Sequence, residues 1–184
     1  MALTPSNSIE LGHIAQDFNL YEPKSDSFLT FNKLKGKEGT LVMFICNHCP
    51  YVVHIIEGIV NLANDYMEKG VSFIAINSND IKNYPEDSPD KMIEFSREFS
   101  IPFPYLYDES QEVAKLYDAA CTPDFNLVSG DGKIIYRGRF DAARPGNNIE
   151  LTGIDMRNAI DRMLAGQNQD IDQAPSIGCN IKWK

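Results

Sequence analysis

The apolar residues of this chain fall into runs, alternations and a helical stripe, and these mark out its elements. Thr40-Leu41-Val42-Met43-Phe44-Ile45 and Val71 to Asn77 are unbroken apolar runs, as expected of strands covered on both faces. Between them, Val52, Val53, Ile56, Ile59, Val60, Ala63, Tyr66 and Met67 are apolar, while His54, Glu57, Asn61, Asp65 and Glu68 are polar. That spacing predicts an amphipathic helix with a dry and a wet face, stopped at Gly70. Residues 17–31 read as two short strands around a polar turn, and 35–39 as a charged turn. A polar loop, Ser78 to Asp90, leads to a helix near 89–99. Pro102 and Pro104 keep 101–106 extended, since each disfavours helix in the residue before it. A short helix over 109–117 follows. Phe125 to Val128 and Lys133 to Tyr136 then flank a Ser-Gly-Asp-Gly turn and make a hairpin. A last amphipathic helix spans 150–165 and stops at Gly166. In the tail, Ile177, Cys179, Ile181 and Trp183 alternate, the pattern of an extended segment docking on the body. Strand–helix–strand–helix followed by a hairpin and a helix predicts an α/β sheet with helices on both faces.

The length, 184 residues, favours one domain over 1–184, with 167–184 as an extended C-terminal tail. No repeat or composition break divides it. Seventeen basic and 26 acidic residues leave a net charge of −9, which argues against a nucleic-acid partner. No apolar run approaches the ~18 residues of a membrane span. Met1 to Glu10 has no basic stretch followed by an apolar one, so a cytoplasmic protein is the default expectation. Oligomeric state leaves no trace in these patterns.

The candidate chemistry is in the cysteines at 46, 49, 121 and 179. Four are too few for a disulfide-built scaffold of this length. Cys46-Asn47-His48-Cys49 has C-x-x-C spacing, which in a cytosolic chain reads as redox or metal chemistry. It lies between a buried strand and an amphipathic helix. Pro50 suits the first helical position, which makes Cys49 the N-cap, facing unpaired N–H groups and the positive end of the helix dipole. Such a field lowers a thiol pKa from ~8.5 and makes Cys49 the expected nucleophile. Cys46, at the strand end, lacks that field. The plainer reading is two small buried residues.

Phe44 to Pro50 after a buried strand, with Thr122-Pro123 before a hairpin strand, resembles the thioredoxin superfamily. Asp17-Phe18-Asn19-Leu20 and Leu34-Lys35-Gly36-Lys37 are similar to its redoxin branch, which includes the alkyl hydroperoxide reductase/thiol-specific antioxidant proteins. The tail from Pro175 to Lys184 resembles that of a group of peroxiredoxin-like proteins. The resemblance runs from about residue 9 to the end. It implies a thioredoxin-like fold with a central mixed β-sheet, helices on both faces and an N-terminal β-hairpin extension. It implies a cis Thr122-Pro123 peptide with Pro123 facing the nucleophile. By alignment on Phe44, Cys49 takes the thioredoxin nucleophile position and Val52 the resolving one. Cys46-x-x-Cys49 therefore sits three residues upstream of the thioredoxin motif. Met43 stands where thioredoxins carry a buried acid, and Cys46 where peroxiredoxins carry a threonine.

The remaining candidates keep two readings each. Cys121, beside Thr122-Pro123, is a resolving or metal-binding thiol, or a buried small hydrophobe. His48 is a local base for Cys49 or an exposed loop residue. Cys179 has the place of the tail thiols that resolve sulfenic acids in some peroxiredoxins; the plainer reading is packing. Arg139 and Arg144 lend positive charge to a thiolate or an anionic substrate, or lie on the surface. His54 is expected to be solvated, and His13 has no evident partner. There is no phosphate loop, H-E-x-x-H or dinucleotide fingerprint, so no organic cofactor is expected. The leading expectation is a thiol–disulfide oxidoreductase or peroxiredoxin-like antioxidant protein. Its partners would be a thiol or disulfide protein, a small thiol reductant or a peroxide. The alternative is a metal-binding or redox-sensing protein with Cu(I) or Zn(II) on Cys46, Cys49 and a nearby His or Cys.

Overall fold

The computed structural model describes residues 3–8, 10–170 and 173–184. Met1, Ala2 and Ile9, and Ile171 and Asp172 of the expected tail, lie outside the described residues. The elements begin with β1 (Leu3–Pro5), β2 (Asn19–Glu22), β3 (Ser27–Thr30), α1 (Phe31–Leu34), β4 (Gly39–Phe44), α2 (Pro50–Tyr66) and β5 (Val71–Asn77). They continue with α3 (Pro89–Glu98), β6 (Tyr105–Tyr107), α4 (Glu112–Leu116), β7 (Cys121–Thr122), β8 (Asp124–Ser129), β9 (Ile134–Tyr136), α5 (Ile154–Leu164) and β10 (Ile177–Asn180).

Seven strands form one mixed sheet in the order β3-β2-β6-β5-β4-β8-β9. The central pairs β4–β5 and β5–β6 are parallel; β8 runs antiparallel to β4, and β9 to β8. The expected hairpin at 17–31 forms as β2–β3 and joins the sheet through Tyr21 opposite Tyr107 of β6. Alternate residues of β4 and β5 face opposite sides of the sheet. Leu41, Met43, Phe73 and Ala75 pack with α2, α3 and α5, and Val42, Phe44, Ile74 and Ile76 with Phe31 of α1 and with Val113 and Ala114 of α4. This two-layered burial is why both runs are apolar throughout. The fold is thioredoxin-like.

Two helices begin later than the sequence pattern predicts, while the tail docks as an extended segment as expected. Helix α4 begins at Glu112, not 109, because Gln111 adopts φ 64 and breaks the helical path. Helix α5 begins at Ile154, not 150: Gly153 has φ 66, and a Cβ there would come 2.6 Å from the Phe140 ring. The tail does dock, as a strand. β10 pairs antiparallel with β7 on one side and with β1 on the other, a small sheet that the apolar alternation alone did not place.

The β4–β8 register positions the chemistry. Phe44 lies opposite Asp124, so the C-terminal end of β4 meets the N-terminal end of β8. The Cys46–Cys49 loop therefore emerges beside Cys121-Thr122-Pro123.

Candidate active site

Pro50 begins α2, and Cys49 is its N-cap with an extended backbone, as expected. Apolar burial of Val52, Ile55, Ile56, Ile59 and Leu62 holds the helix against the sheet and fixes where this loop points. The Thr122-Pro123 peptide is cis. Cys46 Sγ lies 3.4 Å from Thr122 Oγ1, and the Cys49 thiol lies 3.1 Å from the Thr122 carbonyl, to which it donates when protonated.

The electrostatic origin of Cys49's acidity differs from the sequence expectation. Its side chain makes no capping hydrogen bond. The Cys46 thiol, donating to Cys49, is the chief stabiliser of the thiolate; donors from Cys179 and Thr122 follow, and the Val52 N–H contributes least of these. Together they outweigh burial and bring Cys49 down to about 5. The same bond, with burial, pushes Cys46 well above the ordinary thiol range. Cys179 sits opposite Thr122 in the β7–β10 register and is pushed up to about 12, by burial first and then by its bond to Cys49. All four cysteines are thiols. Cys46, Cys49 and Cys179 are 1%, 0% and 3% exposed, so the sulfur cluster is buried, with β10 contributing one of its members.

Cys121 is turned the other way. Neighbouring residues of a strand face opposite sides, and with Thr122 facing Cys46 the Cys121 sulfur lies 3.5 Å from the Pro123 carbonyl. Burial pushes this thiol far up. Its surroundings match the small-hydrophobe reading.

His48 is not pointed at Cys49. Its Nδ1 lies 2.7 Å from Asp87 Oδ2, and its ring stacks on Tyr84 at 5.6 Å. The Asp87 carboxylate raises the His48 pKa and so favours imidazolium. Asp87 is fully buried, and it accepts from the Asn47 N–H at Oδ1 (2.8 Å) and from Asn79 Nδ2 at Oδ2 (2.7 Å). Donor atoms of Cys46, His48 and Asp87 all lie within 4.8 Å of one another. Met43, at the place of the thioredoxin acid, is fully buried among apolar residues. The carboxylate near the cysteines thus comes from a different loop. Sequence reading passed over Asp87 as part of a polar loop; the length of that loop was a usable signal, since long loops in compact domains are commonly functional.

A second missed group lies beneath Pro123. Asp124 is fully buried and pairs with Arg137 at 3.2 Å. Arg137 also donates to the Tyr117 and Asp118 carbonyls and to Asn126 Oδ1. Burial pushes Asp124 up to about 6 despite the guanidinium beside it. Arg139 and Arg144, the arginines singled out from sequence, are otherwise occupied. Arg139 pairs with Asp155 at 2.6 Å, and Arg144 donates to the Asp141 and Ala143 carbonyls. His54 is half-buried rather than solvated, and His13 is exposed, 3.9 Å from Glu10.

The Redoxin family model matches residues 10–150. A thiol-disulfide oxidoreductase ResA of Halalkalibacterium halodurans is 26% identical over 124 residues, which cover 67% of this chain and 65% of that relative. The chain thus spans just under two thirds of that relative's length. The crystal structure of an uncharacterized conserved protein from Geobacillus kaustophilus superposes with a TM-score of 0.98 at 52% identity, covering 100% of this chain and 97% of that one. The thioredoxin domain of a thiol-disulfide oxidoreductase from Bacteroides vulgatus superposes with a TM-score of 0.64 at 16% identity, over 83% of this chain and 99% of that one, a likeness of fold alone. Among the described residues, no helix is long and apolar enough to cross a membrane.

Proposed function

The chain belongs to the Redoxin family, and on that premise we propose that it is a thiol–disulfide oxidoreductase with Cys49 as nucleophile. The observation that carries the reading is a thiol brought down to about 5 by neighbouring donors, beside the Thr122-Pro123 loop. Cys49 attacks one sulfur of a substrate disulfide, a mixed disulfide forms, and the other half leaves as thiolate. Cys46 then attacks Cys49 Sγ and releases the second half, its proton passing to the departing sulfur. Once Cys49 is bonded to substrate it is no longer an anion, and the repulsion that kept Cys46 protonated is relieved. Asp87 opposes ionisation of Cys46, and its pairing with His48, whose pKa it raises, offsets part of that charge as the Cys46 thiolate forms. Pro123, in the cis peptide formed by the Thr122 carbonyl that meets Cys49, borders the site. The fitting partners are proteins or small molecules that carry a disulfide, and a thiol reductant that regenerates the dithiol. Reaction of Cys49 with a peroxide would give a sulfenic acid by the same nucleophile.

The test compares turnover of a protein disulfide with turnover of hydrogen peroxide in wild type and Cys49→Ser. Disulfide turnover that Cys49→Ser abolishes is expected. Peroxide turnover alone would replace the reading with a peroxidase, and undiminished activity in Cys49→Ser would remove Cys49 from its role.

The Cys46, His48 and Asp87 donor cluster favours a second reading, a Cu(I) or Zn(II) site completed by Cys49. Both Asp87 oxygens already accept hydrogen bonds and His48 is committed to the carboxylate, so an ion would have to break that pair. Stoichiometric copper or zinc in protein purified under reducing conditions, lost in Cys46→Ala and Cys49→Ala, would overturn the oxidoreductase reading.

A further inference from the structure

Strand β10 does more than cover the site, because its register carries a sulfur into it. Cys179 lies opposite Thr122, the residue whose carbonyl meets the Cys49 thiol. That register depends on Gly178. A Cβ at this position would come 1.9 Å from the Thr122 carbonyl oxygen and 3.1 Å from Pro123 Cδ, so a side chain there cannot share the space. The strand is held beyond the site as well. The Lys182 N–H donates to Asn79 Oδ1 at 2.8 Å, and the Lys182 carbonyl accepts from the Asp80 N–H and from Gln111 Nε2. Asn79 is also the residue whose amide holds Asp87. Cys49 thus has two thiol neighbours, Cys46 from its own loop and Cys179 from the far end of the chain, each hydrogen-bonded to it.

We propose that Cys179 is a third redox thiol of this site, which attacks a mixed disulfide on Cys49 as β10 reseats and so latches the strand with a Cys49–Cys179 disulfide. The proposal rests on Cys49 being the nucleophile. Cys49 is fully buried and β10 lies on the Thr122 strand beside it, so in this scheme β10 lifts to admit the incoming disulfide. Cys49 then forms Cys49–S–S–R and releases one thiolate. When the strand returns, the Cys179 thiolate attacks Cys49 Sγ, the Cys49–R bond breaks, R leaves as a thiolate and takes up the proton that Cys179 lost. The substrate disulfide gains two electrons and becomes two thiols; Cys49 and Cys179 lose two and become one disulfide. Release of product and closure of the site are one event. Cys46, the resolving thiol proposed above, then acts one step later in this scheme: it attacks Cys49 Sγ in the latch, frees Cys179 as the thiol and leaves the Cys46–Cys49 disulfide for the reductant.

The experiment uses the reduced full-length chain and the aromatic disulfide dithiobis-nitrobenzoate, with Cys121→Ala in every variant to silence that thiol. Release of nitrothiobenzoate is followed by absorbance, and linked peptides are mapped after acid quench. In Cys46→Ser, two equivalents are expected per chain, with a Cys49–Cys179 linked peptide. A stop at one equivalent, with nitrothiobenzoate left on Cys49, overturns the proposal while leaving Cys49 as nucleophile. Release that persists in Cys49→Ser defeats the nucleophile assignment itself. Adding Gly178→Ala to Cys46→Ser is expected to speed the first release about tenfold, because the strand no longer seats, and to slow the second at least tenfold; an unchanged second release overturns the proposal. Should Cys46→Ser fail to fold, as circular dichroism would reveal, the wild-type cysteines in the same Cys121→Ala chain decide: a Cys49–Cys179 peptide among the early quenched products supports the latch, and its absence overturns it.

Discussion

Replacing Cys46 with alanine should make Cys49 a weaker acid even though Cys49 itself is untouched. The Cys46 thiol is the foremost donor to the Cys49 thiolate. A hydrogen bond to a charged group contributes ~1.5–3 kcal/mol. At 1.36 kcal/mol per pKa unit this is a rise of about 1–2 units. From a starting value of about 5, the Cys49 midpoint should move to roughly 6–7 in Cys46→Ala. The assay is the ultraviolet absorbance of the thiolate followed against pH, with Cys49→Ala as the blank. It needs no reagent to enter the buried site. The acid range is clean, because Cys46, Cys121 and Cys179 are all pushed upward, so an acidic thiol transition belongs to Cys49. The linked stability has a definite sign. A thiol whose pKa is depressed by folding stabilises the protein fully above its unfolded pKa of ~8.5, and that contribution is lost as pH falls from there through about 5. Wild type should therefore lose its advantage over Cys49→Ala across that window. A wild-type midpoint near ~8.5 would refute the reasoning. So would an acidic transition that survives Cys49→Ala, or one that Cys46→Ala fails to move.

Two further outcomes follow from the buried ion pairs. Asp87→Asn should lower the His48 midpoint, read from its ring-proton NMR titration, because the carboxylate is what raises it. Since a raised histidine stabilises below its unfolded pKa of ~6.5 and loses that contribution as pH rises through the folded value, the cost of Asp87→Asn should be ~1.5–3 kcal/mol at low pH and smaller above neutrality; an unmoved His48 midpoint would contradict this. Arg137→Met leaves Asp124 buried without its cation and should cost ~3–5 kcal/mol in denaturant unfolding at neutral pH. The cost should shrink as pH falls toward about 6, because without the guanidinium Asp124 takes up its proton above that value, and a small, pH-independent loss would refute the pairing's importance.

The parts of the fold that local pattern controls were readable in the sequence. The β4 and β5 runs, the α2 stripe and its start at Pro50 came from burial periodicity and from one proline, and each is local. So was the cis Thr122-Pro123 loop, once its resemblance was seen. What could not be read was set by pairing across long sequence distances. Cys179 showed as one point of an alternation, yet its neighbour across the small sheet is Thr122, 57 positions earlier. Asp87 carries no local pattern, and only the Asn47, Asn79 and His48 side of the folded loop reveals its use. Strand β1 has three residues and no period to detect. Arg137, rather than Arg139 or Arg144, proved to be the buried arginine: directly after the end of β9 it meets Asp124 of β8, a pairing across the sheet that no local pattern announces, while the other two lie further along the chain.

The cover over the cysteines also has a timing. Cys179 is synthesised 130 positions after Cys49, so at ~5–20 residues per second the nascent chain carries its reactive pair for roughly 7–26 s before the strand that shields it exists. Throughout that interval Cys179 is not yet present to pack against Cys49. Cys46 is the partner already at hand in the same loop, and it can divert adventitious oxidation of Cys49 into a local, reversible bond. In the proposed scheme the near thiol is at hand from the start of that interval, and the distant one joins it only once β10 has been made.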